Sequence, residues 1–434
     1  MVVASVARVT ETRLPLPPAH DPAGAVAWVA EHLGDLSAEG PDGVVASGRF
    51  RGGQSSADAA LAAYDVSGYA GRRNEVWPPD RRGASALSPY IRHGLLPLPR
   101  VWQHVGGGPS RDVKKFRDEL MWQEWSRHLY ARLGRATAES LRYDAPAHHP
   151  RPDAMDDPAT RTAPWSREMA CLDLVVGELE ADGWLVNQTR MWLASHWTVR
   201  EGWGWKHGED AFFTHLLDGS RAANRAGWQW AVGAGSSKPY GFSRWQVEKR
   251  APGVCGSCAL KDACPIQQWP DADAGTYGRV DADPRLRSDP EPEATAGPRK
   301  PYVDDALGDP EVVWLTAESL GDEDPALAAH PDLPVVFVLD APLLARLRLS
   351  GKRLVFLAET LAEIGEQRDL DVHLGDPVEV LSGASLAVTH APVPGFRSRA
   401  SRLDVAVRHP WPWLSRPHGG AIQSFSAWRR KTSR

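Results

Sequence analysis

No stretch of this sequence stays apolar for anything near the ~20 residues a membrane-spanning helix needs. The opening segment Met1 to Pro18 is broken by Arg8, Glu11 and Arg13, so it lacks the apolar centre of a signal peptide, and a cytoplasmic location is the expectation. Cysteine is scarce, four in 434 residues, too few to staple a chain of this length, which points to metal or redox chemistry instead of disulfides. Neither sign of charge dominates: 50 Lys and Arg against 55 Asp and Glu leave a formal net charge of −5. Any contact with nucleic acid must therefore come from a local basic patch. Tryptophan, by contrast, is abundant at 19 residues. Most of these rings serve packing, and a few are available for base stacking or electron hopping.

The length exceeds one ordinary core and implies two or three domains. Residues 1–48 read as an extension packed on the next domain, with an apolar patch from Val2 to Val9 and an amphipathic segment marked by Val26, Val29 and Leu33. Residues 49–270 are mainly helical in pattern. Asp112 to Leu133 combines strong helix formers with an apolar stripe at Phe116, Leu120 and Leu129. Glu168 to Asp182 is a second helix stopped by Gly183, and Val186 to Trp197, Asp210 to Leu217 and Ser220 to Trp230 follow. Residues 271–310 are rich in Pro and Asp and read as a linker. From 311 to 434 the period changes. Short β-branched runs (Val312 to Leu315, Val335 to Leu339, Leu370 to His373, Leu386 to Val388, Leu403 to Val407) alternate with helical stretches such as Ala341 to Leu347 and Arg353 to Gln367. That alternation predicts a Rossmann-like α/β unit with a largely parallel sheet.

Four segments stand out: "GASALSPYIRHG" (83–94), "ELMWQEW" (119–125), "GWLVNQTRM" (183–191) and "GEDAFFTHLLDGSRAANRAGWQW" (208–230). They resemble motifs of the helical FAD-binding domain of the photolyase/cryptochrome family. "PVVFVLD", "RLVFLAETLAEIGEQ" and "DVHLGDPVEVL" look like its α/β domain, here placed after the helices. The resemblance implies a circular permutant, helical domain first. It further implies that Tyr69, Arg73, Ser85, Leu87, Ser88, Arg190, Asp218 and Asn224 hold FAD, with Asn224 beside the flavin N5 and Asp218 paired to Arg190. Glu119, Trp122, Trp184, Asn187 and Met191 would surround a flipped-out pyrimidine dimer, with Trp122 and Trp184 as stacking walls. Trp228 and Trp205 would start an electron-hopping chain, and Trp165 lies near its third place but out of register. Arg81, Arg82 and Arg92 are candidates for DNA phosphate contacts. Ala84, Ala86, Gln123 and Ser220 depart from the family pattern. The segment "TAESLGDED" replaces the family's usual arginine-rich stretch, which argues against an antenna pigment.

Cys255, Cys258 and Cys264 form C-x2-C-x5-C-P ahead of Trp269, and Cys171 lies upstream in "MACLD". By spacing alone, four thiolates suit either a [4Fe–4S] cluster or a structural zinc ion. The arrangement is similar to the iron–sulfur branch of the same family, which favours the cluster. The implied activity is light-driven repair of DNA carrying cyclobutane dimers, since Asn187 stands where enzymes for the other dimer class carry His. A photoreceptor without repair activity is the alternative. No membrane partner is expected, and a monomer is the expectation.

Overall fold

Helices occupy the chain from Pro22 to Arg250, and strands with helices between them occupy it from Tyr302 to His409. The structure is a computed structural model that describes residues 12–145, 147–149, 151–157, 163–268 and 277–432. The Val2 to Val9 patch and Trp269 lie outside the described residues. Among the described residues, no helix is long and apolar enough to cross a membrane.

The seven-stranded sheet comprises β1 (Thr12–Leu14), β2 (Tyr302–Val303), β3 (Val312–Leu315), β4 (Val335–Asp340), β5 (Leu370–Gly375), β6 (Leu386–Thr389) and β7 (Val405–His409). Their order is β1-β5-β4-β3-β6-β7-β2. The five inner strands are parallel, and β1 and β2 pair antiparallel at the two edges. The order reverses direction at β3, as in doubly wound sheets. β4 is buried over Val335 to Leu339, as a strand covered on both faces must be. Alternate residues separate cleanly. Val313, Leu315 and Phe337 join the main core, whereas Trp314, Val336 and Val338 pack with Phe396 on the other face.

The N-terminal extension does more than pack on the helices. Its β1 pairs with β5, and its helix Pro22–Leu33 packs on the helix Gly351–Gln367. A backbone bond from Gly48 N–H to Ala181 O at 3.0 Å also ties it to the helical half. The Pro/Asp-rich stretch is likewise anchored where described. Leu286 and Ala296 are buried, Asp289 pairs with Arg132 at 3.2 Å, and β2 extends the sheet. A few apolar and ionic anchors suffice to order a segment whose composition is otherwise that of a linker.

Candidate functional site

The helix Ser110–Leu133 is the spine of the helical half. It runs 24 residues without Pro or Gly and ends at Gly134, which holds φ +57. Tyr69 packs edge-on against its Phe116 with ring centroids 4.9 Å apart. Glu119, one turn on, meets Lys115 Nζ at 2.7 Å and Arg73 Nε at 3.6 Å. Tyr69, Arg73 and Glu119 therefore share one corner. Trp122 is half-buried and stacked on Phe425 of the C-terminal segment, centroids 4.0 Å apart and 12° from parallel.

The predicted phosphate turn leads into the short helix Ser88–Arg92. Leu87 N–H donates to Ser85 Oγ at 3.4 Å, and Ser88 Oγ accepts from Trp184 Nε1 at 3.0 Å. Trp184 is only 3% exposed, wedged against Phe50 with the Arg49 guanidinium over its ring. Its place is in the wall behind the turn, away from solvent. Asn187, first residue of the helix Asn187–Ser195, is exposed, and Met191 on that helix is half-buried. Arg82 and Arg92, candidates for DNA phosphate, are committed internally. Arg82 pairs with Glu178, and Arg92 meets Glu318 at 2.9 Å and donates to Gly219 O at 3.0 Å.

Arg190 grips Asp218 in a two-point pair, Nη1 to Oδ1 at 3.1 Å and Nη2 to Oδ2 at 2.7 Å. Its Nε also donates to Leu185 O at 3.0 Å, which fixes the fork. Ser220, standing where the family has an acid, caps the helix Arg221–Val232 by accepting from Ala222 N–H at 3.2 Å. One turn in, Asn224 is 6% exposed and its Nδ2 has no hydrogen-bond partner. A buried amide N–H without an acceptor costs about 1–3 kcal/mol, and an acceptor on a bound ligand would offset that cost. The open Asn224 donor fits a flavin, whose ring carries acceptors.

Trp228 lies a turn beyond Asn224 and meets Phe212 edge-on at 5.1 Å. Phe212 meets Trp165 at 5.5 Å, and Trp165 meets Trp197 at 5.5 Å. The structure thus joins Trp165 to Trp228 through Phe212, a link that register along the chain could not give. Trp205 is buried at the start of the helix Trp205–His215. Glu209 on that helix was missed by sequence reasoning. Burial pushes its carboxyl up to about 7 against the pull of Arg221 and Arg225. Trp230, also missed, is 43% exposed and tilted over Tyr240 at 5.5 Å. A Trp on the same predicted helix as Asn224, two residues after Trp228, was the signal available.

The four cysteines, 93 residues apart at their extremes (Cys171 to Cys264), line one small pocket together with Met169 and Ile266. Ala170 N–H donates to Cys258 Sγ at 3.4 Å. Burial, then the neighbouring Cys255, Cys264 and Cys258, pushes the Cys171 thiol up to about 12. Cys255 is raised too, by burial and then by Glu248. Among the described residues, no three His, Cys, Asp or Glu side chains close around a single ion.

Residues 116–250 match a family model described as the FAD binding domain of DNA photolyase. A deoxyribodipyrimidine photo-lyase of Thermus thermophilus is 32% identical over 206 residues, covering 43% of this chain and 44% of the relative. The Escherichia coli enzyme of that name is 33% identical over 177 residues, covering 37% of this chain and 35% of the relative. A class III photolyase structure from Agrobacterium tumefaciens aligns at 27% identity over 46% of this chain and 42% of that one, with a TM-score of 0.38. The chain thus spans less than half the length of the curated relatives it matches. Through residues 116–250, this chain carries a domain similar to the FAD binding domain of DNA photolyase.

Proposed function

We propose that the protein is a light-driven DNA repair flavoprotein that splits cyclobutane pyrimidine dimers. The observation that carries this is the buried, unpartnered amide of Asn224 on the helix after the Arg190–Asp218 pair. FAD, when bound and reduced, supplies an electron on absorbing light. Arg190, Asp218 and Asn224 hold the flavin end of the site, and Tyr69, Arg73, Ser85, Leu87 and Ser88 line the remainder. Asp218 is oriented by its two hydrogen bonds from Arg190, so its position is fixed before any ligand arrives. The Asn224 amide offers a hydrogen bond that favours one protonation state of its ligand over another. Trp122 and the exposed Trp230 supply stacking faces for extruded bases, and Glu119 supplies a carboxylate for a base edge. Blue light on the reduced protein with dimer-containing DNA tests the reading, and undiminished dimers sink it.

One observation favours a photoreceptor of cryptochrome type instead. Trp184, expected as a second stacking wall, is buried against Phe50 and Arg49. In that case light changes the flavin state but leaves dimers intact.

The cysteine pocket is proposed to hold a [4Fe–4S] cluster. One ion with Zn–S bonds of about 2.3 Å would draw four sulfurs into van der Waals contact. A pocket lined by four thiols suits a cluster in which each iron takes one thiolate. Iron and sulfide analysis of anaerobically purified protein decides it, and zinc without iron refutes the cluster. The order of helices before sheet supports reading the chain as a circular permutant of its relatives.

A further inference from the structure

The helix Gly351–Gln367 begins with two consecutive cations, Lys352 and Arg353, and has no acid in its first turn. Cations there face the positive end of the helix dipole, where acids are preferred. Both side chains are buried, so solvation does not explain them either. Each lies over a glycine of the helical half. Arg353 donates to Phe213 O and, at 3.0 Å, to Gly219 O. A Cβ on Gly219 would come within 2.7 Å of its Nη1. Lys352 meets His215 Nδ1 at 3.2 Å. Gly183 holds φ +66, and a Cβ there would come within 2.8 Å of the Lys352 Cδ.

The two glycine loops are one unit, because Leu217 N–H donates to Gly183 O at 2.8 Å. The turn from Leu216 to Ser220 carries Asp218. Its Gly219 carbonyl also accepts from Arg92 at 3.0 Å, and the His93 Nε2 lies 3.3 Å from Leu217 O. Arg353 makes no hydrogen bond to Asp218 itself. It holds the backbone on both sides of that residue, and a planar fork can serve two carbonyls where an ammonium serves one direction at a time.

We propose that Arg353 is a positioning residue for Asp218, so that the α/β half completes the cofactor site from across the boundary between the two halves. The inference rests on the flavin reading above. It makes cofactor affinity a property of both halves, carried by contacts 134 residues apart in sequence (Gly219 to Arg353).

The test uses the full chain with Arg353→Lys, Arg353→Met and Lys352→Met. FAD affinity, flavin midpoint potential, amide exchange at residues 216–220 and Tm are measured for each. Arg353→Met is expected to bind FAD about tenfold more weakly, the equivalent of one lost buried hydrogen bond. Its midpoint potential shifts, and residues 216–220 exchange faster. Lys352→Met at a similar Tm loss leaves affinity within about threefold of wild type, by the smaller loss of one neighbouring contact. Arg353→Lys lies between. If Arg353→Met fails to fold, Arg353→Lys carries the test, and wild-type affinity and exchange in it overturn the proposal. Affinity that merely follows Tm, equally for both Met variants, also overturns it. A wild-type chain that takes no FAD sinks the flavin reading instead. Amide exchange at 216–220 then judges the clamp alone, and unchanged exchange in both Arg353 variants overturns it.

Discussion

Trp122 and Phe425, more than 300 positions apart in sequence, lie face to face with ring centroids 4.0 Å apart. The contact fixes one face of the ring proposed to stack on DNA bases. Phe425 is held in turn by its neighbours: Trp125 Nε1 donates to Ile422 O at 3.0 Å, and Trp428 is fully buried. Phe425→Ala removes the stack and part of a half-buried ring, and is expected to lower stability by about 1–3 kcal/mol. Because Trp122 then loses its backing, dimer-containing DNA should bind more weakly, while undamaged duplex is little affected. Denaturant titration and DNA-binding isotherms check both, and unchanged discrimination between the two DNAs would remove Trp122 from the stacking role.

His128 ties the same segment down through both ring nitrogens. Nδ1 accepts from Trp428 Nε1 at 2.8 Å, so Nε2 must carry the proton that reaches Ser415 O at 2.8 Å. A second proton on Nδ1 would face the Trp428 N–H donor. Burial first, then His418, Arg132 and Arg127, pulls His128 down to about 3 against the hydrogen bond to Ser415. His93 is likewise near 3, and His196, His390 and His409 are near 4, in each case chiefly through burial. These folded values lie below the unfolded value of about 6.5. Their stabilising contribution is therefore complete above that pH and is lost as pH falls towards 3–4. Glu209, raised to about 7 by burial, has the opposite sign: its contribution holds below the unfolded carboxyl value and is lost as pH rises through 7. Burial also raises Asp182, Asp322, Asp324, Asp340 and Glu359, but eight histidines are lowered and their unfolded value lies inside the range, so Tm should drop steadily from pH 7 to pH 4.5. His128→Gln should flatten that slope, and an unchanged slope would show that His128 does not contribute.

Asp218→Asn removes the charge that Arg190 holds and leaves a partly buried guanidinium without its counterion. FAD retention is expected to fall about tenfold or more, with Tm lower by a few degrees. Asn224→Ala removes only the unpartnered amide, so stability should hold or rise slightly while flavin affinity falls. Flavin fluorescence released on denaturation reads the loading of each variant. Equal loading of all three proteins would place the flavin elsewhere.

Cys171→Ser and Cys258→Ser each remove one thiolate from the shared pocket. Iron per chain should fall to about half or less, since a cluster with one ligand missing is exposed and labile. Loading should also release protons, because the buried Cys171 thiol is protonated at neutral pH before metal binds. Metal analysis and visible absorption check the first expectation, and calorimetry in buffers of different ionisation enthalpy checks the second. Full iron content in both variants would separate these cysteines from any cluster.

What the sequence determined by itself was local. The helix expected over Asp112 to Leu133 forms over Ser110–Leu133, because its propensities and its stop at Gly134 lie within the segment. Gly183 closes the helix Ala170–Asp182 in the left-handed conformation, and the β-branched runs became the parallel strands. Asp218 and Arg190 were legible as a pair because both sit in quoted motifs. Tertiary structure alone decided the rest. The backing of Trp122 by Phe425, the burial of Trp184 and the path from Trp228 through Phe212 to Trp165 depend on which surfaces meet. So does the reach of Arg353 across to Gly219. Periodicity and capping act over a few residues, whereas these contacts join segments whose proximity is set by packing of the whole core.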